Sequence, residues 1–188
     1  MRVISGKAKG RSLKAVPGMS TRPTTDKVKE AIFSMIGPYY DGGTALDLFA
    51  GTGGLGIEAL SRGMDKCIFI DIEKKSLDTV IHNLETTGLR EQAEVYRNDA
   101  ARALKVLSKR DIQFQLVFLD PPYRMKFIGE LVDKLQAYAL LAPMAAILVE
   151  HDAEYQLDDV FGNCICERRV AYGDTAVTIY TYKGNIEE

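Results

Sequence analysis

Residues 47–56 read DLFAGTGGLG and overlap the end of a short apolar run, TALDL, at residues 44–48. Glycines here let the backbone turn sharply and let a ligand approach the main chain, while the following helix offers unpaired N–H groups at its start. A strand, a glycine-rich turn and a helix in this order are typical of an open α/β sheet that binds an adenosine-bearing cofactor.

Short apolar runs and longer amphipathic segments alternate along the rest of the chain. This alternation predicts βαβ units and therefore a mostly parallel sheet. Five such strands are predicted, at residues 44–48, 67–71, 94–97, 115–119 and 145–150. Two further β-rich segments, at 163–171 and 176–182, are separated by four residues, which predicts an antiparallel C-terminal hairpin. The predicted fold is α/β and Rossmann-like, with seven strands.

Positive charge is concentrated at the front of the chain. Residues 1–30 contain eight Lys or Arg residues against two acidic ones, whereas the whole chain has a net charge of −2. We predict that residues 1–43 form a basic extension, with a β-hairpin or arm at 3–16 and a helix at 24–36, packed on a core at 44–188 in effectively one domain. Such an excess orients a protein on a polyanion, although a solvated tail without a partner would have the same composition. The candidate nucleic-acid contacts are Arg2, Lys7, Lys9, Arg11, Arg22 and Thr24.

Bulk properties exclude several classes of protein. A chain of 188 residues with 46% hydrophobic content buries one substantial core, and it contains no run of apolar residues long enough to cross a membrane. Its three cysteines form no zinc-type pairs and follow no signal-peptide pattern, which favours the cytoplasm. We interpret Cys164 and Cys166 as strand packing and expect no metal.

The glycine-rich loop by itself leaves two cofactors open. Gly51, Gly53 and Gly56 satisfy the dinucleotide pattern, and Asp71 stands at the end of the next predicted strand, where a carboxylate accepts hydrogen bonds from ribose hydroxyls. Asp47 lies at the strand tip just before the loop, where it would repel a diphosphate but suits the cationic end of S-adenosylmethionine. We therefore favour S-adenosylmethionine.

The most specific motif, Asp-Pro-Pro-Tyr, follows the predicted fourth strand at residues 120–123. An aryl amine is a poor nucleophile, so a methylating site must hold it in line with the methyl donor. Asp120 and the carbonyl group of Pro121 can accept its two N–H bonds, Pro122 stiffens the loop, and Tyr123 offers a face on which a flipped base stacks. The motif predicts methylation of an exocyclic amine of a nucleic-acid base.

Together with this motif, the runs RPTTDKVKE at 22–30 and DLFAGTGGLGIEALSRG at 47–63 resemble the RsmD family of bacterial 16S ribosomal RNA guanine-N2 methyltransferases. The resemblance covers nearly the whole chain, including RVISG at 2–6. It implies a class I S-adenosylmethionine-dependent methyltransferase fold and methylation of the N2 amine of one guanine in 16S rRNA. The implied partner is the assembling small ribosomal subunit, and we expect a monomer.

The resemblance also implies residue roles. Residues 120–123 would surround the target amine. Asp47, Gly51, Gly53 and Asp71 would contact the cofactor, and Asn98 and Asp99 would lie near its adenine; the neighbouring Phe49, Ile72 and Ala100 complete the expected set. One departure from the family pattern is Ser34, where an asparagine is usual.

Three alternatives stay open. A DNA methyltransferase acting on adenine N6 or cytosine N4 uses the same loop chemistry, but such enzymes commonly carry a separate recognition region for which this chain has no room. Protein-glutamine methyltransferases resemble an Asn-Pro-Pro-Tyr pattern, whereas Asp120 stands first here. A catalytically silent RNA-binding module would show a damaged loop or motif. Neither His82 nor His151 is needed for the chemistry.

Overall fold

A computed structural model describes residues 1–19, 24–122 and 127–184, so the predictions made for Arg22 and Tyr123 lie outside the described residues. The strands are β1 (Thr44–Asp47), β2 (Lys66–Asp71), β3 (Ala93–Arg97), β4 (Phe114–Leu119), β5 (Leu141–Asp152), β6 (Val160–Phe161), β7 (Cys164–Tyr172) and β8 (Thr175–Tyr182). The helices are α1 (Asp26–Ile36), α2 (Gly54–Ser61), α3 (Lys74–Thr86), α4 (Ala100–Leu107) and α5 (Ile128–Ala137), with a 3-10 turn at Arg90–Gln92.

All eight strands form one sheet in the order β3-β2-β1-β4-β5-β8-β7-β6. The first five strands are parallel, and β8 pairs antiparallel with β5 and β7. The predicted α/β sheet with its C-terminal hairpin is confirmed. The seven predicted strands are present, and the two-residue β6 adds an eighth at the edge beside β7.

Strand β5 begins earlier than predicted. Its first residue, Leu141, pairs with Phe114, but the next pairing joins Leu116 to Ala146, so residues 142–145 bulge from the ladder. Met144 within the bulge has a positive φ of 63°. A proline at 143 cannot donate to a ladder, and the bulge accommodates it.

Helices cover both faces of the sheet. Along β2, Cys67 and Phe69 belong to the core beneath α1, α2 and α3, whereas Ile68 and Ile70 belong to the core beneath α4 and α5. Gly56 sits where α2 crosses β2, because a Cβ there would lie 2.4 Å from the Phe69 ring. This glycine is therefore required for helix–sheet packing.

The N-terminal arm, residues 1–19, folds back on itself as a hairpin with a single antiparallel bridge, Arg2 to Ser12. The backbone N–H of Val3 donates to the carbonyl of Arg11 at 2.9 Å. Its apolar residues Val3, Ala8 and Leu13 are buried in the same core as α1, α2 and α3. The alternative of a solvated tail is therefore wrong for these residues.

A buried ion cluster joins the arm to α1 and α2. The Glu58 carboxylate lies 3.1 Å from Arg62 Nε and 3.6 Å from Lys29 Nζ, and all three side chains are at most 5% exposed. The same carboxylate accepts hydrogen bonds from the backbone N–H groups of Ile4 at 2.8 Å and Ser5 at 3.1 Å. Burial lowers the pKa of Lys29, and the charge of Glu58 opposes that shift. The cluster holds the start of the chain in a fixed position.

Two smaller observations complete the fold. Cys164 is buried in β7 and Cys166 is half-buried, so both lie in a strand as expected. None of the helices in the described ranges combines the length and apolar character needed to span a membrane.

Glu58→Ala should lower the free energy of unfolding by about 3–5 kcal/mol, because it leaves two buried cations without a counter-ion and two backbone N–H groups without an acceptor. Denaturant unfolding measures the change. The matched control is Asp78→Ala, which removes an exposed pair with Lys74 at 3.4 Å and should cost under about 1 kcal/mol. Equal effects of the two substitutions would contradict this account of the cluster.

Candidate active site

Four acidic side chains stand at the carboxyl ends of four adjacent strands. Asp71 and Asp47 end β2 and β1, Asp120 directly follows β4, and Glu150 lies near the end of β5. Leu119 pairs with Val149, so the next residue on each strand, Asp120 and Glu150, are neighbours. We call these four residues the acidic row. It occupies the edge at which open α/β sheets bind ligands.

The glycine-rich loop joins the acidic row to the start of α2. Gly51 and Gly53 have φ values of 56° and 80°, which other residues adopt only with strain. A Cβ at Gly51 would meet no atom within 4 Å, so the space beside it is open to a ligand. Asp47 Oδ2 accepts a hydrogen bond from the N–H of Gly56 at 3.1 Å and so satisfies one donor of the first turn of α2.

Asp71 fastens the loop to β2. Its Oδ2 accepts from the N–H of Gly51 at 2.9 Å, and its Oδ1 accepts from the N–H of Glu73 at 2.9 Å. Each carboxylate oxygen keeps a second lone pair, so the residue can also accept hydrogen bonds from ribose hydroxyls. Asp71 therefore shapes the loop in addition to its predicted contact with a cofactor.

The buried carboxyl of Asp47 holds its proton unusually strongly. Burial is the main cause, the charge of Asp71 adds to it, and the hydrogen bond from Gly56 opposes it, so that its pKa rises to about 7. A cationic ligand beside this group would favour the ionised form and lower that pKa. Asp47 can therefore act as a partner for a cationic ligand.

The loop after β3 carries three further predicted residues. The Asn98 N–H donates to the carbonyl of Asp71 at 3.1 Å, which connects the ends of β3 and β2. Asp99 is the N-cap of α4, because its Oδ1 accepts from the N–H of Arg102 at 3.0 Å. Ala100 is the half-buried first residue of that helix. The predicted adenine contacts thus lie beside Asp71, and Asp99 also has a structural role.

Two apolar side chains flank this part of the edge. Ile72 directly follows Asp71 and is 59% exposed, a high value for an aliphatic side chain at the end of a buried strand. Phe49, in the glycine-rich loop, is half-buried against the core beneath α4 and α5. An exposed aliphatic side chain in this position is suited to contact with a flat heterocycle.

The motif after β4 is built around a carboxyl pair. Asp120 is half-buried, Pro121 is buried and Pro122 is exposed. Asp120 and Glu150 are neighbours on adjacent strands, and the negative charge of Glu150 favours the protonated form of Asp120. Burial raises the pKa of Asp120 well above its usual range, and the negative charges of Glu150 and Asp47 add to the shift.

Sequence reasoning missed Glu150, which is 8% exposed. The available signal was an acidic residue at the end of an apolar strand, one strand away from Asp120. Thr24 was predicted to contact nucleic acid, but it is half-buried and its Oγ1 donates to Glu150 Oε2 at 3.4 Å. The structure therefore places Thr24 at the acidic row, where it contacts Glu150, the neighbour of Asp120.

The four predicted cations of the arm are exposed but differ in their partners. Arg2 Nε pairs with Asp26 at 2.8 Å, and Lys7 donates to the side chain of Gln92. Lys9 and Arg11 form no ion pair within the described parts of the chain. These two side chains are the ones most available to a polyanion.

The other residues named in the sequence analysis do not belong to the acidic row. His82 is exposed on α3, whereas the buried His151 bonds the carbonyl of Asp152 and the hydroxyl of Thr178, both at 2.8 Å. Ser34 is exposed on α1 and donates to the carbonyl of Glu30 at 2.9 Å. Across the residues that the structure describes, no group of three or more His, Cys, Asp or Glu side chains is arranged to hold a metal ion.

Asp47→Asn should stabilise the protein more at pH 8 than at pH 5. The folded-state pKa is about 7 and the ordinary value is 3.8, so the folded state keeps a proton that the unfolded state loses, and stability falls as pH rises between these values. Asparagine removes that loss, a gain on the order of 2–4 kcal/mol. Denaturant unfolding of both proteins across this pH range tests it. A difference that does not change with pH would show that Asp47 is ionised as in a free peptide.

Comparison with known proteins agrees with this geometry. The family model described as "Conserved hypothetical protein 95" matches residues 1–181. "Putative rRNA methyltransferase YlbH" of Bacillus subtilis strain 168 is 55% identical over 184 residues, which cover 98% of this chain and 100% of the relative. "Ribosomal RNA small subunit methyltransferase D" of Escherichia coli strain K12 is 33% identical over 180 residues, covering 96% of this chain and 89% of the relative.

A solved structure extends the similarity to the fold. "Putative methyltransferase yhhF from Escherichia coli" has a TM-score of 0.81 and 33% identity, and the match covers 97% of this chain and 98% of that one. This agreement confirms the predicted class I methyltransferase fold. The family match and the identity to these relatives over almost the whole chain show that it belongs to the RsmD family.

Proposed function

We propose that this protein transfers a methyl group from S-adenosylmethionine to the N2 amine of a guanine in the 16S rRNA of the small ribosomal subunit. The observation that carries the proposal is the position of Asp120, Pro121 and Pro122. These residues follow β4 directly beside the loop and carboxylates suited to a cationic adenosine cofactor. We expect the reaction to take place in the cytoplasm during subunit assembly.

The chain's own residues fit this cofactor. Asp47 offers a buried carboxyl with a raised pKa, which a cation would ionise. Gly51 leaves open space beside the main chain, Asp71 has lone pairs for ribose hydroxyls, and Ile72 is exposed beside it. When bound, S-adenosylmethionine supplies a methyl group on a positively charged sulfur, which becomes a neutral thioether after transfer.

Asp120 and Pro121 would orient the amine. Its two N–H bonds donate to the Asp120 carboxylate and to the Pro121 carbonyl, which turns the nitrogen lone pair towards the methyl group. As the nitrogen forms its new bond it becomes positively charged, and the nearby carboxylate stabilises that charge until the proton leaves. Tyr123 is proposed to stack on the base, and Pro122 keeps the turn rigid.

Two observations favour ribosomal RNA as the substrate. The relatives from Bacillus subtilis and Escherichia coli are named rRNA methyltransferases, and the second name specifies the small subunit. In addition, Lys9 and Arg11 are exposed on an arm that the Glu58 cluster holds in place, so positive charge is fixed relative to the acidic row. Such charge contacts phosphates independently of sequence.

The test is transfer of a tritiated methyl group from S-adenosylmethionine to small subunits, free 16S rRNA and duplex DNA, all prepared from cells that lack this gene. Nucleoside analysis should find the label in N2-methylguanosine of rRNA. Label in N6-methyladenine or N4-methylcytosine of DNA would keep the amine chemistry but reject the substrate. Absence of transfer to any of the three would indicate a silent binding module.

Asp120→Ala should lower the rate of methyl transfer by about two to three powers of ten while changing cofactor affinity little, because it removes an interaction made with the reacting amine. Asp71→Ala should do the opposite and mainly weaken cofactor affinity, because it also releases the N–H groups of Gly51 and Glu73. Calorimetry and single-turnover rates separate the two effects. If both substitutions altered only affinity, the proposed division of roles would be wrong.

A further inference from the structure

Glu150 contacts the proposed reaction machinery without belonging to any motif in the sequence. It lies on β5, is 8% exposed, and neighbours Asp120, because Leu119 of β4 pairs with Val149 of β5. Two ionised carboxylates side by side in a buried site repel each other, which favours a state of the pair that retains one proton. Glu150 therefore controls whether Asp120 is an acceptor on both oxygens or shares a proton with its neighbour.

Glu150 is itself held from the other side. Thr24 Oγ1 donates to Glu150 Oε2 at 3.4 Å, and the next residue, Thr25, is the N-cap of α1. A buried carboxyl that has a hydrogen-bond partner is restrained from rotating away. The start of α1 thus fixes Glu150, and Glu150 fixes Asp120.

We propose that Glu150 is a positioning residue for methyl transfer, which orients the Asp120 carboxyl through a shared proton and yields that proton when the substrate amine takes its place. This inference rests on the proposed function. Before the amine binds, the proton fills the position between the two carboxyls. When the amine binds, its N–H becomes the donor to Asp120, and the shared proton passes to solvent.

The electrostatic surroundings of the pair are consistent with this role. Among the described residues, the charged group that acts on Asp120 besides Glu150 is Asp47 of β1, and the uncharged Thr24 is the other group bonded to Glu150. Burial and this negative charge keep the pKa of Asp120 well above its usual range, and burial also raises that of Glu150. Loss of the shared proton should therefore appear as a rise in rate with increasing pH.

The decisive variant is Glu150→Gln, which keeps the size of the side chain and can donate an N–H to Asp120 but carries no negative charge. The measurement is the single-turnover rate of transfer to small subunits from cells lacking the gene, recorded as a function of pH. The acid limb of this profile, where the rate rises with pH, should move to lower pH by about one unit or more in the variant. At high pH its rate should stay within about tenfold of the wild-type rate, because Asp120 is still oriented.

Glu150→Ala removes the orienting contact as well as the charge. Its single-turnover rate should fall by about tenfold or more at every pH, whereas its affinity for S-adenosylmethionine, measured by calorimetry, should change by less than about threefold. Retained affinity also shows that the variant is folded. The matched control is Glu154→Gln, an exposed carboxyl in the loop after β5, whose pH profile should coincide with that of the wild type.

An acid limb in Glu150→Gln identical to that of the wild type would overturn the inference, as would an unchanged rate in Glu150→Ala. In either case active wild-type protein would leave the proposed function intact. Wild-type protein that methylates none of the nucleic acids would instead overturn the proposed function, and this inference with it.

Discussion

The parallel order of β2, β1, β4 and β5 forces four carboxyl groups onto one edge of the sheet, and the site depends on how their mutual repulsion is contained. Backbone N–H groups bond Asp47 and Asp71, whereas we propose that the neighbouring Asp120 and Glu150 share a proton. Burial keeps water from screening the remaining repulsion between the carboxylates, so the pKa values of Asp47 and Asp120 rise. This repulsion lowers the stability of the folded protein until a cation binds. Functional sites commonly reduce the stability of a protein in this way.

The buried cluster around Glu58 has a different task, since it makes the N-terminal arm part of the same rigid body as the acidic row. Asn83 reinforces that connection. Its side-chain amide bonds the N–H of Lys14 at 2.8 Å and donates to the carbonyl groups of Lys14 at 3.0 Å and Thr52 at 2.9 Å. The arm, α3 and the glycine-rich loop therefore meet at one side chain. A substrate bound along the arm would be held at a fixed distance from the cofactor loop.

Most of the fold could be predicted from the sequence because hydrophobic periodicity and turn residues are local signals. The strand ends at Asp47 and Asp71 and the glycines between them followed from such signals. The start of β5 did not, because the bulge at residues 142–145 depends on pairing with β4. Glu150 was missed because its place beside Asp120 follows from the order of the strands in the sheet, and the pKa shifts depend on burial and on neighbouring charges.

Sequence reasoning could not foresee partners that are distant in the chain. Lys29 counted towards the basic front, yet it is buried against Glu58. Thr24 was assigned to nucleic acid, yet it bonds Glu150, which lies 126 positions away. A single sequence does not reveal such pairs, because nothing in its periodicity records them.

We infer that the acidic row holds excess protons when it is empty and releases them when it receives a cation. Calorimetry of cofactor binding near pH 6.5, repeated in buffers with different ionisation enthalpies, measures the protons released. Binding of S-adenosylmethionine should release on the order of half a proton or more, and S-adenosylhomocysteine, which lacks the sulfonium charge, should release fewer. Absence of proton release on binding of either ligand would contradict the claim that these carboxyls recognise positive charge.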